Sequence, residues 1–131
     1  MSFLNPKIDE NEFLYRAIKK SIPNRWDIEK NRPSSALFKE SKGVSVDRDG
    51  NRNKREIVTS FLERFGHTEL KAIVNIRAGR CYEKDCSILY RPLDDNPFHA
   101  EIHNGNGKVE LTKGQARFLA KNCTIVEQYD L

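Results

Sequence analysis

The sequence predicts an α+β fold: one domain over residues 1–131, with a mostly antiparallel sheet of three to five strands flanked by two or three helices. Three observations predict it. Strand-like segments follow one another through residues 71–103 instead of alternating with helices. Segments of helical apolar spacing stand on either side of that run, with capping residues at their starts. Finally, 131 residues with 37% hydrophobic content suffice for one modest core.

Taken in order, Asp9-x-x-Glu12 has the form of a capping box, and Phe13, Leu14, Ala17 and Ile18 follow helical spacing. This predicts a helix over about residues 10–21, stopped by Pro23; the same run can also be read as a strand. Residues 23–35, rich in Asn, Pro and Ser, form a polar loop in which Trp26 serves as an anchor. Ser35 to Glu40 reads as a short capped helix and Gly43 to Asp47 as a short strand. In Asp47 to Asn53 the acidic alternation suggests a calcium loop. It has Arg52 where the loop needs Gly and Val58 where it needs Glu, which excludes an EF-hand and leaves an Asp49-Gly50 turn.

From Lys54 to Phe65 the reading is a helix, with Asn53 and Glu56 as its capping box and Ile57, Val58, Phe61, Leu62 and Phe65 as its apolar face. Gly66 ends it. Lys71 to Arg77 alternates as a strand. Residues 79–85 form a turn, and 87–90 and 98–103 are two further strands. Asn104 to Gly107 signals a hairpin leading into a strand over Lys108 to Leu111. Thr112 caps a helix from Lys113 to Lys121, and Thr124 to Val126 closes the sheet.

The net charge of +4 is unevenly placed. Residues 16–55 hold 12 Lys/Arg and 5 Asp/Glu; the remainder holds 11 and 14. A basic half can attract a polyanion, and Arg25, Lys30, Arg32, Lys39, Lys42, Arg48, Arg52, Lys54 and Arg55 are the candidate contacts. No apolar run approaches a membrane span. The first residues lack the basic start and apolar stretch of a secretory signal. Three cysteines, an odd number, argue for reduced thiols and a cytoplasmic protein.

Cys81, Cys86, His99 and His103 stand at zinc-finger spacing, C-x4-C-x12-H-x3-H. Pro97 would lie inside the required helix. Phe98, Ala100 and Ile102 instead alternate with His99, Glu101 and His103, as on a half-buried strand. Such a strand separates the two histidines by about 13 Å, too far for one ion. A polar strip of His99, Glu101 and His103 then remains as the place to look for acid–base chemistry.

The blocks Leu14 to Ile18, Arg32 to Phe38, Val44 to Asp47 and Asp95 to Ile102 resemble those of small uncharacterised bacterial proteins, over most of the chain. The resemblance implies a prokaryotic protein and no particular activity. In addition, Arg16, Ser34-Ser35 and Glu101, in that order, are similar to the Arg, Ser and Glu layout of ADP-ribosyltransferase-like folds. That similarity implies Arg16 on an early strand holding NAD phosphates, a serine region at the nicotinamide and Glu101 steering the transfer. His99 stands where the family has a second acidic residue or Gln.

Three classes of function follow. The leading expectation is a binding or interaction module contacting nucleic acid, an acidic protein or another polyanion through the basic N-terminal half, with no cofactor. One alternative is an enzyme with catalytic candidates Arg16, His99, Glu101 and His103, using NAD in the ADP-ribosyltransferase-like version. The other is a zinc protein using Cys81, Cys86, His99 and His103.

Overall fold

In the computed structural model, which describes residues 4–129, the segment Phe13–Lys19 is an extended strand, β1. It lies inside the sheet with partners on both sides and is not the helix expected over 10–21. A strand buried on both faces need not alternate. Leu14 and Ile18 enter one core while Tyr15 and Ala17 enter the other, so apolar residues recur at intervals that mimic a helix. The apparent capping box has other partners. Asp9 Oδ1 accepts the backbone N–H of Asn11 at 2.8 Å, and the Glu12 carboxylate takes two hydrogen bonds from Arg48, of 2.6 and 2.9 Å.

After β1, the short strands β2 (Trp26–Asp27) and β3 (Arg32–Pro33) pair inside the segment expected as loop. A 3-10 turn over Ser35–Phe38 follows, then β4 (Val44–Arg48) and α1 (Lys54–Phe65). Next come β5 (Leu70–Arg77), α2 (Ala78–Glu83), β6 (Ser87–Tyr90), β7 (His99–His103), α3 (Lys113–Asn122) and β8 (Thr124–Gln128). Six strands form the main sheet in the order β6-β7-β4-β1-β5-β8, one more than the upper bound expected, and every pairing is antiparallel.

Both capping boxes downstream form as the sequence predicts, Asn53 with Glu56 on α1 and Thr112 with Gln115 on α3. Two other readings are corrected. Residues 78–83 are the helix α2, where only a turn was expected; Asp85, at φ 63°, ends the segment and lets Cys86 N–H reach Cys81 O at 3.0 Å. Residues 108–111 are not a strand. Asn104 closes the 104–110 loop on itself, its N–H donating to Val109 O and its Nδ2 to Glu110 O. Gln115 Nε2 then ties that loop and the end of α2 together, donating to Asn104 O at 2.8 Å and Lys84 O at 2.9 Å.

The sheet divides two cores. One face packs Leu14, Val44, Val46, Ala100 and Ile102 against Leu37 and Phe38 of the 3-10 turn, Cys81 of α2 and Ala116 and Leu119 of α3. The other packs Tyr15 and Ile73 against Ile57 and Phe61 of α1. On this second face β4 and β7 present polar residues instead: Ser45 and Asp47 beside their cross-strand partners Glu101 and His99. Among the described residues, no helix is long and apolar enough to cross a membrane.

Candidate functional site

The site begins where two strands part. β1 and β4 pair only at Leu14–Arg48 and Tyr15–Asp47, whereas β4 stays paired with β7 down to Val44. Beyond Tyr15 the gap is filled by the side chain of Arg16. Its Nη1 donates to Ser45 O at 2.8 Å and its Nε to Leu37 O at 3.0 Å, so one guanidinium links β1, β4 and the 3-10 turn. Arg is suited to this, being a planar fork of donors that stays charged.

Above the gap lies a cleft of about 320 Å³. One wall is α1, with Phe61, Arg64 and Phe65; the other is the β6–β7 loop, with Leu93, Asp95 and Asn96, and His99 at the start of β7. Arg25 and Glu40 close its end. Asp47, on the floor, is buried and receives Nδ2 of Asn96 at 3.0 Å and a guanidinium nitrogen of Arg64. The Asp47 carboxylate therefore bridges the two walls, and its charge is compensated as burial requires.

Arg16 is the electrostatic centre. It is 7% exposed, and its Nη2 is buried with no hydrogen-bond partner. Glu40 Oε2 stands 3.6 Å from Nη2, while Glu40 Oε1 is bonded to Arg25. Burial, followed by repulsion from Arg25, lowers the Arg16 pKa to about 10; Glu40 opposes the fall. An unsatisfied buried donor costs about 1–3 kcal/mol, so the guanidinium is an incompletely answered cation.

His99 is oriented by the loop it ends. Its Nδ1 lies 2.9 Å from the carbonyl of Arg91, and its Nε2 lies 3.4 Å from Ser45 Oγ. The polar strip continues with Glu101, which holds His103 Nε2 at 2.9 Å and Arg91 Nη1 at 3.1 Å. Gly43 packs against the imidazole: a Cβ there would meet His103 Nε2 at 2.7 Å.

Thus the structure joins Arg16 to His99 through Ser45, the backbone acceptor of one and side-chain neighbour of the other. Glu101 and His103 lie beside the cleft, not in its lining. Arg16 stands on a strand, as the ADP-ribosyltransferase-like layout requires. Ser34 and Ser35 face elsewhere, in a separate depression beside α3. Cys81 and Cys86 belong to the core on the Ala100 and Ile102 side of β7, whereas Glu101 and the histidines project from its other side. Among the described residues no three metal-ligating side chains gather.

The basic candidates are dispersed. Arg48 is buried on Glu12 and stacks on Tyr90 at 4.7 Å, which removes it from any outer surface. Arg52 stacks on Phe98 at 3.5 Å and donates to Asp49 O and Arg48 O. Lys39 bonds Leu111 O at 2.6 Å, Lys54 pairs with Glu127, and Arg25 with Glu40. Lys30, Lys42 and Arg55 are exposed. Arg32 donates to Ala120 O, at the end of α3. With Lys30, Arg117, Lys121, Ser34 and Ser35 it lines a depression of about 580 Å³ that holds one carboxylate, Asp27.

Ser45, Asp47, Arg64 and Asn96 are functional candidates that sequence reasoning missed. The run Val44-Ser45-Val46-Asp47 carried one usable signal, a polar residue at every second position of a strand. Comparison with known protein families, curated proteins and solved structures finds no match.

Proposed function

We propose that the chain binds a small ligand carrying a phosphate or carboxylate group in the cleft between α1 and the β6–β7 loop. The observation that carries this reading is the buried Arg16 guanidinium with an unpartnered Nη2, beside Arg25 and an aromatic wall. Arg16 and Arg25 converge on one carboxylate, that of Glu40, which is about one-third exposed and can swing away. Glu40 thus stands in for the anionic group of the ligand. Phe61, Phe65 and Leu93 would cover an apolar or planar body attached to it. The cleft's volume lies at the lower end of the range for small-molecule sites.

Glu40 supplies the decisive test. Glu40→Gln should tighten binding of phenyl phosphate at least about tenfold, because one charge-assisted competitor is removed. Arg25→Gln should weaken it by a similar factor. Isothermal titration of both variants against the wild type checks this. Weaker binding in Glu40→Gln, or no change in Arg25→Gln, would reject the reading.

A second reading is favoured by the depression beside α3. Lys30, Arg32, Arg117 and Lys121 surround it with two serine hydroxyls and a single carboxylate. It keeps the expected polyanion contact but moves its centre from the N-terminal half to the junction of β3 with α3. A polyanion held there would dissociate steeply with salt, and Arg117→Gln with Lys121→Gln should flatten the log–log salt slope for a single-stranded oligonucleotide by about 1.4. An unchanged slope would exclude it.

A further inference from the structure

We propose that Ser45 is a nucleophile activated by His99, so that the cleft cleaves an ester of the anionic ligand; this rests on the reading of the cleft as an anion site. Ser45 is exposed on β4, and both residues line the cleft. A carbonyl can only accept, so the 2.9 Å contact with Arg91 O places the proton of neutral His99 on Nδ1. The lone pair of Nε2 is then directed to Ser45 Oγ, 3.4 Å away. That distance is long for a formed O–H···N bond and is of the kind that shortens when substrate is bound.

Nucleophile, base and orienting group thus stand in sequence, with a backbone carbonyl in the third position. Asp47, the cross-strand neighbour of His99, does not take that place, because Arg64 and Asn96 occupy its carboxylate. The Arg16 guanidinium holds the Ser45 carbonyl, which fixes the nucleophile's backbone relative to the anion-binding end of the cleft. A substrate anchored there by its anionic group would lie along the cleft toward Ser45.

The step balances without any further reagent than water. Ser45 Oγ attacks the ester carbonyl carbon as its proton passes to His99 Nε2. The carbon–oxygen bond to the alcohol breaks, and the alcohol leaves with the proton from Nε2. Water, deprotonated by the same nitrogen, cleaves the acyl–Ser45 ester, releases the acid and restores the hydroxyl.

A fluorophosphonate probe tests the nucleophile directly, since Oγ would displace fluoride and leave a stable adduct. Intact-protein and peptide mass spectrometry should place one adduct on Ser45 in the wild type. Labelling should vanish in Ser45→Ala and slow at least about a hundredfold in His99→Gln. Titration with phenyl phosphate is run alongside on the wild type. Anion binding without labelling would overturn the nucleophile and leave the cleft reading intact. Labelling at Ser45 without anion binding would support the nucleophile and overturn the anion site. Equal labelling rates in His99→Gln and wild type would overturn the role of His99.

Discussion

At the residue scale, Arg16 does the work that backbone pairing does elsewhere in the sheet. Where β1 leaves β4, its guanidinium answers the carbonyls of Ser45 and Leu37. A lysine ammonium has one nitrogen in place of this fork and cannot reach both acceptors with the same geometry. Arg16→Lys is therefore expected to lower stability by about 2–4 kcal/mol, from the buried acceptors left unanswered. Urea unfolding checks the value, and a loss below about 0.5 kcal/mol would show that the gap closes by other means. Arg16 and His99 were legible in the sequence as chemistry-bearing candidates. Ser45 was not, because a serine between two valines reads as the solvent side of a strand until its contact with His99 on β7 is known.

At the element scale, the legible elements were those whose local and tertiary requirements agree. In α1 the cap, the apolar face and the terminal Gly66 all specify one helix, and it forms over the expected residues. For β7, alternation on a strand with one polar face revealed both its conformation and the strip His99, Glu101 and His103. β1 was legible only as the alternative to a helix, because burial on both faces removes the period of two that identifies a strand. Its identity comes from β4 and β5, which pair with it across long stretches of chain. The Asn53 cap of α1 gives a prediction at this scale. Asn53 Oδ1 accepts the N–H of Glu56 at 2.9 Å, so Asn53→Ala should cost about 1 kcal/mol while Asn53→Asp should cost little. Thermal unfolding of the two variants separates a cap effect from a general effect of changing the residue.

At the scale of the whole molecule, the sheet keeps the cysteines away from the polar strip, and this sets how stability responds to alkaline pH. Burial raises the pKa of all three thiols above the usual value: Cys86 and Cys123 to about 11, and Cys81 higher still, with the neighbouring Cys86 adding to its rise. In the unfolded chain the same thiols ionise near pH 9. Between pH 9 and pH 11 the unfolded state therefore holds fewer protons than the native state, and stability falls as pH rises. The stability these groups lend is complete below pH 9 and is lost as pH approaches the folded values. The thiols dominate the window from pH 8 to pH 10, at about 1 kcal/mol for each by pH 10, and Tyr82 and Tyr129, whose pKa values burial also raises, add to the fall at its upper end. Urea unfolding at pH 8, 9 and 10 should show a progressive loss of about 3 kcal/mol, and Cys123→Ala should reduce that loss by about one-third. A flat profile across this window would mean that the thiols meet solvent in the native state, and would place Cys81 and Cys86 outside the core that separates them from His99 and His103.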